Sequence, residues 1–143
     1  MFTSILVAID GSDHAAKALE AAASVAAMSG ARLSIVTVPQ PAVEPVLVGY
    51  TTVPVPISRE ELESQGLRLL DDAEKKLPEG LAATASKVLF GDPAHAIVDE
   101  AAATQADLIV LGRRGLGRLS GLLVGSTTTK VAQLAPCAVL TVK

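Results

Sequence analysis

At 143 residues, half of them apolar, the chain suits one domain over residues 1–143 with a sizeable core. A net charge of −3 argues against nucleic acid as the main partner, because phosphate binding needs a basic surface. One cysteine, Cys137, excludes an intrachain disulfide, and two histidines, His14 and His95, give no metal-ligand spacing.

The N-terminus lacks the basic segment of an export signal, and the apolar stretch from Ile5 to Ile9 stops at Asp10. The longest uncharged run near it, residues 21–31, is too short for a bilayer. A soluble, cytoplasmic protein with no membrane partner is expected. Residues 5–9 predict a strand covered on both faces. Ser12 caps a helix running to about Met28, in which His14, Lys17, Glu20 and Ser24 form one polar stripe and Gly30 closes the end. Residues 33–38 predict a second strand. Residues 39–57 hold five of the eight prolines and are too long for an ordinary connection. Their Leu47-Val48-Gly49-Tyr50 stretch reads equally as a lid or as a partner-binding patch.

Ser58-Arg59-Glu60-Glu61 is a capping box, and Leu62, Leu69, Ala73 and Leu77 follow at helical spacing until Pro78. Residues 83–90 predict a third strand. Asp92-Pro93 predicts an N-cap with proline in the first turn, and Ile97, Val98 and Ala101 give that helix an inner face. Residues 108–111 predict a fourth strand, Ser126 opens a fourth helix that stops before Pro136, and residues 137–142 predict a fifth strand. Strands separated by helices pair in parallel through right-handed crossovers. The expected fold is therefore α/β, a doubly wound, Rossmann-like open sheet of five parallel strands with four helices.

Gly112, Gly115 and Gly125-Ser126 follow the fourth strand with spacing Gly, two residues, Gly, nine residues, Gly-Ser. Glycine lets backbone N–H groups approach phosphate, and a helix start attracts anions. Arg113, Arg114 and Arg118 add positive charge there, and Ser126 and Thr127 add hydroxyls. A plain glycine-rich surface loop has the same spacing, and both readings stay open. The chain lacks the P-loop pattern, and Gly115-Leu116-Gly117 is followed by Ser120, so the dinucleotide fingerprint fails. Asp10-Gly11-Ser12 ends the first strand with a carboxylate suited to ribose hydroxyls or a metal-bound water. It reads also as a helix cap with a tight turn. His14, His95 and Lys130 read as solvated side chains, and Cys137 as a small hydrophobe.

The glycine spacing, Asp10-Gly11-Ser12, Gly91-Asp92-Pro93 and the strand from Asp107 to Gly112 together resemble the universal stress protein family over essentially the whole chain. The resemblance implies a sheet order of 3-2-1-4-5 and ATP binding with Mg²⁺. It implies Asp10 at the ribose, and Ala8 and Val38 near adenine, with Val38 backbone groups reading its edge. It implies Gly112, Arg114, Gly115, Gly125, Ser126 and Thr127 around the sugar and phosphates, with Leu111 also among the nucleotide-binding residues. Arg114 stands where the family often has histidine. A nucleotide-dependent regulator is expected, with a slow ATPase and a nucleotide-free partner scaffold as alternatives. An edge strand without charge or proline, residues 138–142, together with the resemblance, implies a homodimer through the fifth strand.

Overall fold

A computed structural model describes residues 1–115 and 124–143. Arg118, Gly117 and Ser120 lie outside the described residues. In chain order the elements are β1 (Ser4–Ala8), α1 (Asp13–Ser29), β2 (Arg32–Thr37), β3 (Val43–Val48), β4 (Thr51–Pro56) and α2 (Arg59–Lys75). There follow β5 (Ala85–Val88), α3 (Pro93–Ala103), β6 (Leu108–Gly112), α4 (Ser126–Leu134) and β7 (Ala138–Val142).

Five strands form one parallel sheet in the order β5-β2-β1-β6-β7. With β3 and β4 left out of the count, this is the expected order of third, second, first, fourth, fifth. The sheet alternates its side chains between two cores, as a period of two requires. Ile5, Val7 and Ile9 join Leu33, Ile35, Leu108 and Val110 under α1 and α2. Leu6 and Ala8 join Val36, Ile109 and Leu111 under α3 and α4. Alanines at 15, 18, 22 and 26 make the inner face of α1, so the helix lies close on the sheet with almost no aromatic volume between them.

The caps form where the sequence places them. Ser12 Oγ accepts from Ala15 N at 3.2 Å, Ser58 Oγ from Glu61 N at 3.2 Å, and Asp92 Oδ2 from His95 N at 3.1 Å. Gly30 closes α1 in the left-handed region at φ 70°, its N–H donating to Ala26 O. At the foot of the sheet, Asp107 accepts from Thr3 N, Thr3 Oγ1 and Ser4 N at 2.8 to 3.0 Å. Burial would raise the Asp107 pKa, but these donors together outweigh it and hold the carboxyl below its ordinary value. The clamp ties the start of β1 to the start of β6, whose register then runs from Ile5 opposite Leu108 to Ala8 opposite Leu111.

Residues 39–57 correct the expectation of a connection between five strands. Val43–Val48 and Thr51–Pro56 pair antiparallel as a hairpin around Gly49-Tyr50. Gly49 has φ 63° while Tyr50 keeps a negative φ, the pattern of a two-residue turn with glycine first. The third strand of the main sheet is also shorter than expected, Ala85–Val88 rather than residues 83–90.

Candidate functional site

β1 and β6 are neighbours, and the chain leaves them towards opposite faces, into α1 on one side and α4 on the other. At such a switch point the loops diverge and leave a crevice at the carboxyl ends of the strands. Here it is a cavity of about 800 Å³. All ten residues singled out from the sequence line it. Ala8 and Asp10 come from the end of β1, Val38 from the end of β2, and Leu111, Gly112, Arg114 and Gly115 from β6 and the loop after it. Gly125, Ser126 and Thr127 come from the start of α4.

Asp10 is held by its own turn. Its Oδ1 accepts from Ser12 N at 2.9 Å, and Gly11 takes φ 85° to make that possible. Ser12 caps α1, as the helix-cap reading has it, and Asp10 both braces that tight turn and lines the cavity. A Cβ added to Gly115 would collide with Asp10 Oδ2, so the turns after β1 and β6 approach closely and a side chain at 115 must displace the Asp10 carboxylate.

Gly112 has a different cause. A Cβ there would lie 2.8 Å from the backbone carbon and Cβ of His14 and 2.9 Å from Ala15 N. That glycine lets the first turn of α1 pack on the end of β6, whatever else it does. His14 is thus not the solvated side chain of the sequence reading. It is half-buried against this turn, and its Nδ1 is shielded from solvent with no hydrogen-bond partner among the described residues.

α4 starts against the same loop. Gly125 N donates to Arg113 O at 2.7 Å, and the buried Thr128 hydroxyl donates to Gly112 O at 2.8 Å. α1, α2 and α3 are each capped by a side chain, whereas α4 begins at Gly125 with no side-chain cap. Its first N–H groups and the positive end of its dipole therefore stay available at the cavity wall. Arg114 is the one basic residue among the described lining and Asp10 the one acidic residue.

Sequence reasoning missed the opposite wall, which is Leu62, Gln65, Gly66 and Leu69 of α2 with Pro93 and Ile97 of α3. Gly66 was the available signal, since glycine inside a helix is unfavourable without a packing reason. A Cβ on it would stand 2.8 Å from Val88 Cγ2. Gln40 is a further addition, its Nε2 donating to Val38 O at 3.0 Å, the carbonyl assigned to the adenine edge.

His95 and Lys130 keep largely exposed side chains, as the sequence reading has them, but share a partner in Asp92. His95 Nδ1 lies 2.7 Å and Lys130 Nζ 3.4 Å from Asp92 Oδ2. The His95 N–H first, then its ring and Lys130, hold the Asp92 carboxyl down at about 2. The three groups join α3 to α4 but do not line the cavity. Cys137 is partly buried against the α3–α4 core, and burial, with the nearby Asp107 charge, pushes its thiol up, as suits a small hydrophobe.

The sequence model of the "Universal stress protein family" matches residues 1–143. The chain is 40% identical over 148 residues to universal stress protein YxiE of Bacillus subtilis strain 168, with all of both chains covered. Among solved structures it is similar to universal stress protein UspA from Lactobacillus plantarum, at 27% identity and a TM-score of 0.75, covering 99% of this chain and 97% of that one. It is similar also to a universal stress protein in complex with cAMP, at 26% identity and a TM-score of 0.72, with the same coverage.

Proposed function

The chain belongs to the universal stress protein family, and from that premise we propose that it binds an adenine nucleotide, ATP with Mg²⁺, at the ends of β1 and β6 and acts as a nucleotide-dependent regulatory or stress-response protein. The observation that carries this reading is the approach of Asp10 to Gly115 beside the uncapped start of α4. A carboxylate for ribose hydroxyls and free N–H groups for phosphate then stand on two sides of one cavity. The solved relative in complex with cAMP supports an adenine nucleotide as the ligand class. Mg²⁺ fits as a phosphate-bound ion that keeps several waters, since Asp10 is the only carboxylate in the described lining. In this reading the apolar wall of Ala8, Val38, Leu111 and Ile97 takes the base, and Gly115, Gly125, Ser126, Thr127 and Arg114 take the phosphates.

Regulation is favoured over rapid hydrolysis. A phosphoryl-transfer enzyme needs a group that orients water and a clamp for the leaving charge. Arg114 can clamp, but the described lining offers no base besides Asp10, which this reading assigns to the ribose. Turnover below about one per second is expected, the low end of ordinary enzymes. The cavity wall at Val38, Pro39 and Gln40 leads directly into the β3–β4 hairpin, so occupancy can be transmitted to an exposed element. In the same reading the protein is cytoplasmic and forms a homodimer through β7.

Titration calorimetry on nucleotide-stripped protein tests the site. Micromolar ATP binding in the presence of Mg²⁺ is expected. Absence of heat and of any thermal shift at millimolar ATP would leave the nucleotide-free scaffold as the better reading. Rapid multiple turnover of ATP, lost in Asp10→Ala, would make the protein an enzyme instead.

A further inference from the structure

Most polar side chains of the cavity already have a task. Asp10 braces its turn and approaches Gly115, and the Thr128 hydroxyl is engaged with Gly112 O. Arg114, Ser126 and Thr127 stand where the loop after β6 meets the start of α4. On the opposite wall, Gln65 Nε2 lies 3.4 Å from Glu61 Oε1 of its own helix. Thr37 is buried at the end of β2. Gln40 differs from all of these. Its Nε2 donates to Val38 O at 3.0 Å, and both residues line the cavity. Val38 packs on the α3–α4 core with Ala8, Ile97 and Leu111, the wall that takes the base in the reading given above. Among the described lining, Gln40 therefore brings a side-chain amide to the backbone carbonyl at the apolar end of the site.

A carboxamide carries a planar NH2 donor and a carbonyl acceptor side by side. At Val38 O the Gln40 NH2 occupies the carbonyl that the exocyclic amino group of adenine, another planar NH2, would use. The amide thus stands within one hydrogen bond of the base edge with no movement of the backbone. Its last side-chain torsion is broad, so it can turn at small cost. When the amino group takes over Val38 O, one donor replaces another and the carbonyl stays paired. The released amide matches the adjacent edge of adenine. Oε1 accepts the second N6 hydrogen and Nε2 donates to N7, the pairing that lets glutamine read adenine in nucleic acids. A 6-oxo purine cannot make this set. Its O6 would face the Val38 carbonyl, and turning the amide over to donate to O6 would set Oε1 against N7.

We propose that Gln40 is the base-selecting side chain of this site, favouring 6-amino over 6-oxo purine nucleotides through a two-point contact with N6 and N7. The inference rests on the nucleotide reading and adds to it the side chain that chooses the base. Gln40 is exposed and belongs to neither core, so it can be changed without disturbing the fold. A discrimination of about tenfold is expected from it, the lower part of what a good two-point contact to a base supplies.

Titration calorimetry with ATP, ITP and 7-deaza-ATP tests this on the nucleotide-stripped full chain, wild type and Gln40→Leu. ITP replaces the 6-amino group by an oxo group. 7-Deaza-ATP keeps the amino group and replaces N7 by a carbon that accepts no hydrogen bond. Wild type should bind 7-deaza-ATP roughly fivefold to tenfold more weakly than ATP, and Gln40→Leu should bind the two alike, since the contact to N7 is then gone from either side. The preference for ATP over ITP should fall about tenfold in Gln40→Leu, with native circular dichroism. Equal affinity of wild type for ATP and 7-deaza-ATP would overturn the inference and leave the nucleotide reading standing. A deficit for 7-deaza-ATP that persists in Gln40→Leu would do the same. Loss of all binding in a natively folded Gln40→Leu would also overturn it, and would make Gln40 a support of the site instead of a reader of the base. A wild type that binds none of the three nucleotides would overturn the nucleotide reading and this inference with it.

Discussion

Gly112 and Gly115 stand three residues apart and do different things. Gly112 makes room for the backbone of α1, so Gly112→Ala should act on stability, by about 1–3 kcal/mol, the usual effect of overpacking. Gly115 makes room for the Asp10 carboxylate at the cavity. Gly115→Val should lower ATP affinity at least tenfold while the far-ultraviolet circular dichroism stays native. Chemical denaturation and calorimetry on both variants check the pair. Equal ATP affinity in Gly115→Val and wild type would remove this loop from the phosphate site. Asp92 offers a pH test. Its folded pKa of about 2 lies below the ordinary 3.8, so its contribution to stability is complete above about pH 4 and is lost as pH falls towards 2. The difference in Tm between wild type and Asp92→Ala should be full at about pH 5 and should close near pH 2. A gap independent of pH would show that the cap acts without its charge.

At the scale of elements, a buried hydroxyl ties α4 to β6. Thr128 donates to Gly112 O from a site 5% exposed, while Thr129, next to it, donates back to Gly125 O on the surface. Thr128→Val keeps the shape and leaves the Gly112 carbonyl without that donor. A loss of about 1–3 kcal/mol is expected in urea denaturation. The same change at Thr129 should move stability by less than about 0.5 kcal/mol, as surface changes usually do. The hairpin teaches a different lesson about elements. Residues 43–56 contain alternating valines and a Gly-Tyr turn, yet three prolines hid the strands from a propensity reading. Those prolines are tolerated because the ribbon has two outer edges and the prolines fall on outward positions, a fact of register that propensity does not carry.

For the whole molecule, β7 is an edge strand of the described sheet. Among the described residues it pairs with β6 alone, and Ala138–Val142 contains neither charge nor proline, with Ala138, Leu140 and Thr141 exposed. Across a two-fold axis it can pair antiparallel with its copy and close both edges. Val139→Lys with Thr141→Lys should reduce the mass of the assembly in sedimentation by adding repulsion at that axis. A mass equal to wild type would place the contact away from β7.

Much of this was legible in the chain itself. Apolar runs alternating with Ala-rich helical stretches, each introduced by Ser12, Ser58 or Asp92, specify a parallel doubly wound sheet, because local capping and hydrophobic period act within a few residues. The glycines of the spacing and the seven residues singled out with them do meet at one cavity. Only the tertiary structure decided what Gly112 and Gly115 each make room for, that His95 and Lys130 share Asp92, and that α2 and α3 complete the wall. Those properties are distances between segments far apart in sequence. They arise when the Asp107 clamp and the sheet register bring the ends of β1 and β6 side by side, and a linear pattern cannot hold them.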